Sequence, residues 1–246
     1  MSPSPAGPGA RPNPLRTLST LPVLAVQAAW VAARVPRLPE AAGPRHGRTG
    51  TGPVLRLLVV GDSSAAGVGV AHQSEALSGQ LARALASDFD VSWRLIARSG
   101  ATTAGALARL RQEPPAAFDV ALTALGVNDV KNGVALGRWL DRTEALHRLL
   151  RDRFGVGLVV ASGLPPMGSF PALPGALGRF LGARAEAFDT ALRARLGGRP
   201  GTVILPGAMP LDPAGMAADG FHPGAAVYAD WGLRGASAIR AACPTR

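Results

Sequence analysis

The chain has 246 residues, room for one large domain or two small ones, and its 47% hydrophobic and 17% charged content is that of a globular protein rather than a disordered one. A single cysteine, Cys243, excludes an internal disulfide framework and multi-thiolate metal sites held by this chain alone, and the four histidines, His46, His72, His147 and His222, form no HExxH or HxxxH pair, so no dedicated metal site is expected. The net charge of +10 is almost all arginine, with Lys131 the only lysine; it is spread thinly and shows no basic cluster interleaved with aromatics, which argues against nucleic-acid binding.

In chain order, residues 1–52 read as an N-terminal extension. They hold Arg11, Arg16, Arg34, Arg37, Arg45 and Arg48 against Glu40 alone. MSPSPAGPGARPNP is rich in proline, glycine and serine and predicts disorder. An uncharged stretch, residues 17–33, follows between Arg16 and Arg34; it is short for a membrane span and is interrupted by Pro22 and Gln27. Three readings stand: a helix on the domain surface or membrane interface, a membrane anchor, or a signal core cleaved after Val31-Ala32-Ala33. The protein is therefore expected in the cytoplasm or at a membrane, with a secreted form open. Residues 36–52 read as a linker.

Residues 53–246 read as one domain in which short apolar runs alternate with longer helical patterns. Strands are predicted over 54–60 (VLRLLVV), 91–97, 118–125, 156–161 and 202–205. Helices are predicted over 74–87, 103–111, 136–153, 179–196 and 225–242. Strands rich in valine and leucine alternating with helices predict a parallel sheet covered on both faces.

In such sheets a site forms at the carboxyl ends of the strands. The segments there are Gly61-Asp62-Ser63-Ser64, Arg98-Ser99-Gly100-Ala101, Gly126-Val127-Asn128-Asp129 and, before the last helix, Asp219-Gly220-Phe221-His222-Pro223. A serine hydroxyl becomes a competent nucleophile when a neighbouring base takes its proton. Ser63 is the candidate nucleophile, His222 the candidate base, and Asp219 the group that fixes the imidazole tautomer. A developing oxyanion needs preorganised donors, for which Ser63 N–H, Gly100 N–H and the Asn128 amide are candidates. Ser64 is the rival nucleophile. Asp62 and Asp129 are assigned to loop structure, His72 to a loop, His147 to a helix flank and His46 to the linker. GVGV at residues 67–70 lacks the third glycine of a dinucleotide fingerprint, and no GxSxG elbow occurs.

GDSSAAGVGV, the glycine of RSGATT, GVND and DGFHP together resemble the four blocks of the SGNH, or GDSL, hydrolase superfamily, from about Val54 to Ile239. The resemblance implies a three-layer α/β/α flavodoxin-like fold with a five-stranded parallel sheet. It implies Ser63, Gly100, Asn128 and His222 as signature residues, with Asp219 completing a triad. It also implies a serine esterase or lipase without cofactor, acting on a small-molecule or lipid ester. Ser64 stands where the family usually has leucine. Two rivals share the scaffold, an acyltransferase and a catalytically inactive binding protein. Residues 163–180, with Met167 and Phe170, form an apolar, proline-stiffened stretch that either binds the acyl chain of the substrate or packs onto the sheet.

Overall fold

The computed structural model describes residues 14–207 and 213–242; most of the proline-rich start expected to be disordered, and Cys243, lie outside them. The first sheet strand of the alternating region, β2 (Val54–Gly61), shows how the layers arise. Side chains alternate across a strand. Leu55, Leu57 and Val59 enter one apolar cluster, whereas Leu58 and Val60 enter another on the opposite face. The first cluster is filled by helices α2 (Leu77–Leu85) and α7 (Ala225–Ala242), the second by α3 (Thr103–Gln112) and α5 (Leu136–Phe154). A third cluster joins α5 to α6 (Gly175–Leu196), with the rings of Trp139 and Phe188 stacked 4.7 Å apart. The result is the expected three-layer α/β/α architecture.

Among the described residues the sheet has six strands rather than five, in the order β1-β3-β2-β4-β5-β6. Strands β2, β3 (Asp90–Ala97), β4 (Val120–Ala124), β5 (Leu158–Ser162) and β6 (Thr202–Leu205) run parallel, as expected. The addition is β1 (His46–Thr49), antiparallel to β3 at the sheet edge. The segment read as a linker is therefore part of the sheet. HGRT carries no apolar alternation to announce a strand; it lies opposite Arg94, Trp93, Ser92 and Val91, and Arg48 grips Asp90 through both carboxylate oxygens. Edge strands commonly carry such charge, which blunts unwanted pairing. Glu40, before β1, accepts a bond from Ser99 N at 2.6 Å and ties this segment to the rim of the sheet.

Helix α1 (Pro14–Arg34) spans the uncharged stretch and rests on α6 through Leu24, Val31 and a bond from Leu177 N to Gln27 Oε1 of 2.8 Å. Among the described residues no helix is long and apolar enough to cross a membrane. A short helix not expected from the sequence, α4 (Val127–Lys131), follows β4 and carries Asn128 and Asp129 inward.

His147, expected on a helix flank, is instead only 2% exposed, and neither ring nitrogen has a hydrogen-bond partner among the described residues. Burial pushes its pKa down to about 4, with Arg151 and Arg199 adding to the shift and Glu144 opposing it. The unfolded chain takes up this proton below the ordinary value of 6.5, the folded chain only near 4. Its neutral form thus stabilises the fold fully above the ordinary value, and that contribution erodes as pH falls between the two, by about 3 kcal/mol at most. Thermal denaturation at stepped pH should show wild type losing more stability from neutral to mildly acidic conditions than His147→Leu. Parallel curves for the two proteins would remove His147 from acid sensitivity.

Candidate active site

Ser63 lies just beyond the carboxyl end of β2, where the chain turns sharply: Ala66 N donates to Asp62 O at 2.9 Å and Val68 N to Ser63 O at 3.0 Å. The two serines of this turn have different partners. Ser64 gives both its N–H and its hydroxyl to Asp62 Oδ1, at 3.0 and 2.8 Å. Ser63 Oγ lies 2.9 Å from His222 Nε2, across 159 residues of sequence. The geometry therefore separates the two rival serines, pairing Ser63 alone with the imidazole.

His222 is held from the other side by Asp219. One carboxylate oxygen accepts the backbone N–H groups of Phe221 and His222, each at 2.9 Å. The second lies 2.5 Å from His222 Nδ1. Burial alone would raise the Asp219 pKa, but the bonds from His222 and Phe221 outweigh it and hold the carboxyl below its ordinary range. An ionised carboxylate only accepts hydrogen bonds, so Nδ1 carries the proton and the Nε2 lone pair faces the Ser63 hydroxyl. That is the tautomer needed to take a proton from serine.

The loops bearing these residues are locked together. Tyr228, on α7, donates its hydroxyl to Val68 O at 2.7 Å, linking the Ser63 turn to the helix that follows His222. Gly69 has φ +107°, and a Cβ there would lie 2.2 Å from Pro223 O, so glycine is required where the two loops touch. The GVGV segment is thus a packing feature of the site.

The remaining signature residues fall into two groups. Gly100 has φ +77° on an exposed turn after β3. Among the described residues neither its N–H nor that of Ser63 donates to a protein acceptor, which leaves both available. Asn128, by contrast, is 4% exposed, and its amide donates to Ala101 O at 3.1 Å and to Asp62 Oδ2 at 3.3 Å. Asp62 is buried, which raises its pKa, while the Ser64 bonds act in the opposite direction. Asp129 Oδ2 accepts from Thr103 N and Oγ1 at 2.8 and 2.9 Å, in keeping with the loop-shaping role expected of it.

Ser63 and His222 open onto a cleft at this rim of the sheet. Its walls are apolar and include Leu125, Val127, Phe170, Met216, Phe221 and Trp231. Of the two residues expected to meet substrate, Phe170 is on this wall, packed edge-on to Phe221 at 5.1 Å. Met167 is fully buried among Leu177, Leu181 and Trp139 and does not line the cleft. It sits on a short 3-10 turn whose inward face belongs to the α6 core, so packing claims it. Phe221 was missed, although its position beside His222 in DGFHP placed it at the site.

Comparison with known proteins identifies the family of the chain. A chain from Mycobacterium tuberculosis (strain ATCC 25618 / H37Rv), the GDSL-like esterase Rv1075c, is 30% identical over 188 residues, covering 71% of this chain and 58% of that protein. The present chain thus spans little more than half the length of that relative. The crystal structure of TesA superposes with a TM-score of 0.56 at 25% identity, covering 75% of this chain and 97% of that one. The lipase/acylhydrolase from Enterococcus faecalis shares the fold, with a TM-score of 0.55 at 20% identity and coverage of 78% and 99%. A model of the GDSL-like lipase/acylhydrolase family matches residues 59–229, a span that contains Ser63, Gly100, Asn128, Asp219 and His222, and the chain belongs to that family.

Proposed function

We propose that the protein is a serine hydrolase of carboxylic esters with short to medium acyl chains, working through an acyl-enzyme. One observation carries this reading: the continuous Ser63–His222–Asp219 hydrogen-bond chain, with contacts of 2.9 and 2.5 Å, whose serine and imidazole line an apolar cleft. The names of the relatives, an esterase and a lipase/acylhydrolase among them, support the same reaction class.

In this reading Ser63 Oγ attacks the ester carbonyl carbon as its proton passes to His222 Nε2. The imidazolium is stabilised by the ionised Asp219 carboxylate beside Nδ1. The tetrahedral oxyanion accepts bonds from the free N–H groups of Ser63 and Gly100. The proton on Nε2 then goes to the leaving alkoxide, which departs and leaves an acyl group on Ser63. Water, deprotonated by the same imidazole, releases the acid and restores the serine. Asn128 serves as the third donor by giving up its longer bond, to Asp62, as negative charge develops. The apolar wall formed by Phe170, Phe221 and Leu125 takes the acyl chain, since burying apolar surface is favourable and non-directional.

Turnover of a p-nitrophenyl ester series should show activity in wild type and a loss of at least about a thousandfold in Ser63→Ala and in His222→Ala. A folded wild type without activity would be tested for covalent labelling by a fluorophosphonate. Absence of labelling would sink the hydrolase reading, and labelling with transfer to an added alcohol would reassign it as an acyltransferase.

Asn128→Ala separates donor from scaffold. A donor to the oxyanion is worth about a hundred- to a thousandfold in kcat with KM little changed. A loss below tenfold would confine Asn128 to holding the Ala101 and Asp62 loops.

A further inference from the structure

Helix α1 has a property at odds with a helix facing water. Its inner edge, Leu24, Gln27 and Val31, rests on the domain, yet every exposed side chain between residues 21 and 33 is apolar. Val26 is 70% exposed, Leu21 50%, and Val23 and Trp30 49% each. Surface helices ordinarily put charge on the outer face, and a contiguous apolar patch of this kind marks a contact surface. Charge appears only at its ends. The Arg34 guanidinium lies 5.8 Å over the Trp30 ring, Arg37 follows on the exposed side, and Arg16 precedes the stretch in sequence. A tryptophan bordered by arginine at the end of an apolar face is the arrangement that suits a headgroup boundary.

Two features choose the occupant. Residues 21–33 make a strip roughly 20 Å long and 10 Å wide, so two copies pairing through it would bury about 400 Å² in total, against the roughly 1,200 Å² of a stable interface. A lipid surface has no such minimum, and anionic headgroups match Arg34 and Arg37 at its C-terminal end. On its inner side the helix shares an apolar cluster with the cleft wall. Leu24 and Val31 pack on the same apolar cluster as Phe170, Met216 and Phe221, all three of which line the cleft.

We propose that the outer face of α1 docks the protein on an anionic lipid surface, lying along it rather than crossing it. Docking there sets the cleft beside the lipid and favours esters carried in the membrane; this second step rests on the ester-hydrolase reading. The helix is thus a peripheral anchor placed next to the site it supplies.

The test is co-sedimentation of the full chain with vesicles of phosphatidylglycerol and phosphatidylcholine, beside vesicles of phosphatidylcholine alone. Wild type should pellet with the anionic vesicles and less with the neutral ones, and added salt should weaken the binding. The double variant Val26→Glu/Trp30→Glu should lower vesicle affinity about tenfold or more, because two carboxylates replace buried apolar area. Arg34→Ala/Arg37→Ala should abolish the preference for anionic lipid. Both variants should keep wild-type turnover of a soluble p-nitrophenyl ester, while the first should lose turnover of an ester embedded in vesicles.

Equal pelleting of wild type and the Glu variant, or no pelleting of wild type, would overturn the docking proposal. So would a dimer in sedimentation velocity that the Glu variant dissolves, since a second copy would then own the face. Failure of soluble-ester turnover in wild type would instead strike the hydrolase reading and leave the vesicle result to be read by itself.

Discussion

The site depends on one contact between distant parts of the chain: the turn after β2 must meet the loop before α7 to within a hydrogen bond. Ser63 and His222 are 159 residues apart, so their approach is made by the fold and not by local sequence. Three independent contacts hold that approach. Tyr228 anchors Val68 O, Gly69 lets its loop press on the Pro223 carbonyl, and Asp219 braces His222 through both backbone and ring. A displacement of about 1 Å between reacting groups costs orders of magnitude in rate. In the proposed mechanism the tightness of this seam is therefore a functional quantity as well as a structural one.

Beneath the seam lies a layer of buried polar groups whose cost is offset by mutual bonding. Asp62 receives Ser64 twice and Asn128 once, and Trp139 Nε1 donates at 3.1 Å to Thr103 Oγ1, whose hydroxyl in turn donates to Asp129. Burial raises the pKa of both Asp62 and Asp129, and the donors around each carboxyl oppose the rise. Buried networks of this kind are stable only when their partners are placed well, and so they specify loop geometry strongly. This accounts for the division of labour within Asp62-Ser63-Ser64. The middle residue is free to face the imidazole because its neighbours are committed to each other.

What could be read in the sequence follows from where each signal resides. The five parallel strands and the helices after them were legible because apolar periodicity is local, with β4 and β5 fully buried and β2 largely so. The edge strand β1 was not, because HGRT is placed by its pairing with β3 and by Arg48 meeting Asp90, contacts between distant segments that no local pattern announces. Residues clustered at strand ends pointed to Ser63, Gly100, Asn128 and His222 as a group. The direction in which each side chain turns was not available from spacing. Met167 and Phe170 are three residues apart, yet one faces the α6 core and the other the cleft. His147 misled for a similar reason: EALHRLL has arginine beside the histidine, and only the packing of α5 shows that the ring turns inward.

The aromatic side chains join the site to the rest of the apolar structure. The imidazole of His222 lies 5.3 Å from the Phe221 ring, edge to face, and Phe221 meets Phe170 in the same manner. Phe170 belongs to the cluster on which α6 and, through Leu24 and Val31, α1 rest. Lys131 places its ammonium 5.8 Å from the centroid of the Phe221 ring, the middle member of this series. Close-packed rings transmit displacement because they have little room to absorb it. A ligand that moves Phe170 must therefore move Phe221 or distort its packing, and Phe221 is bonded in sequence to the proposed base. The wall proposed to receive an acyl chain and the proposed base are in this way parts of one packed unit, and the outermost member of that unit is the helix with the uncharged face.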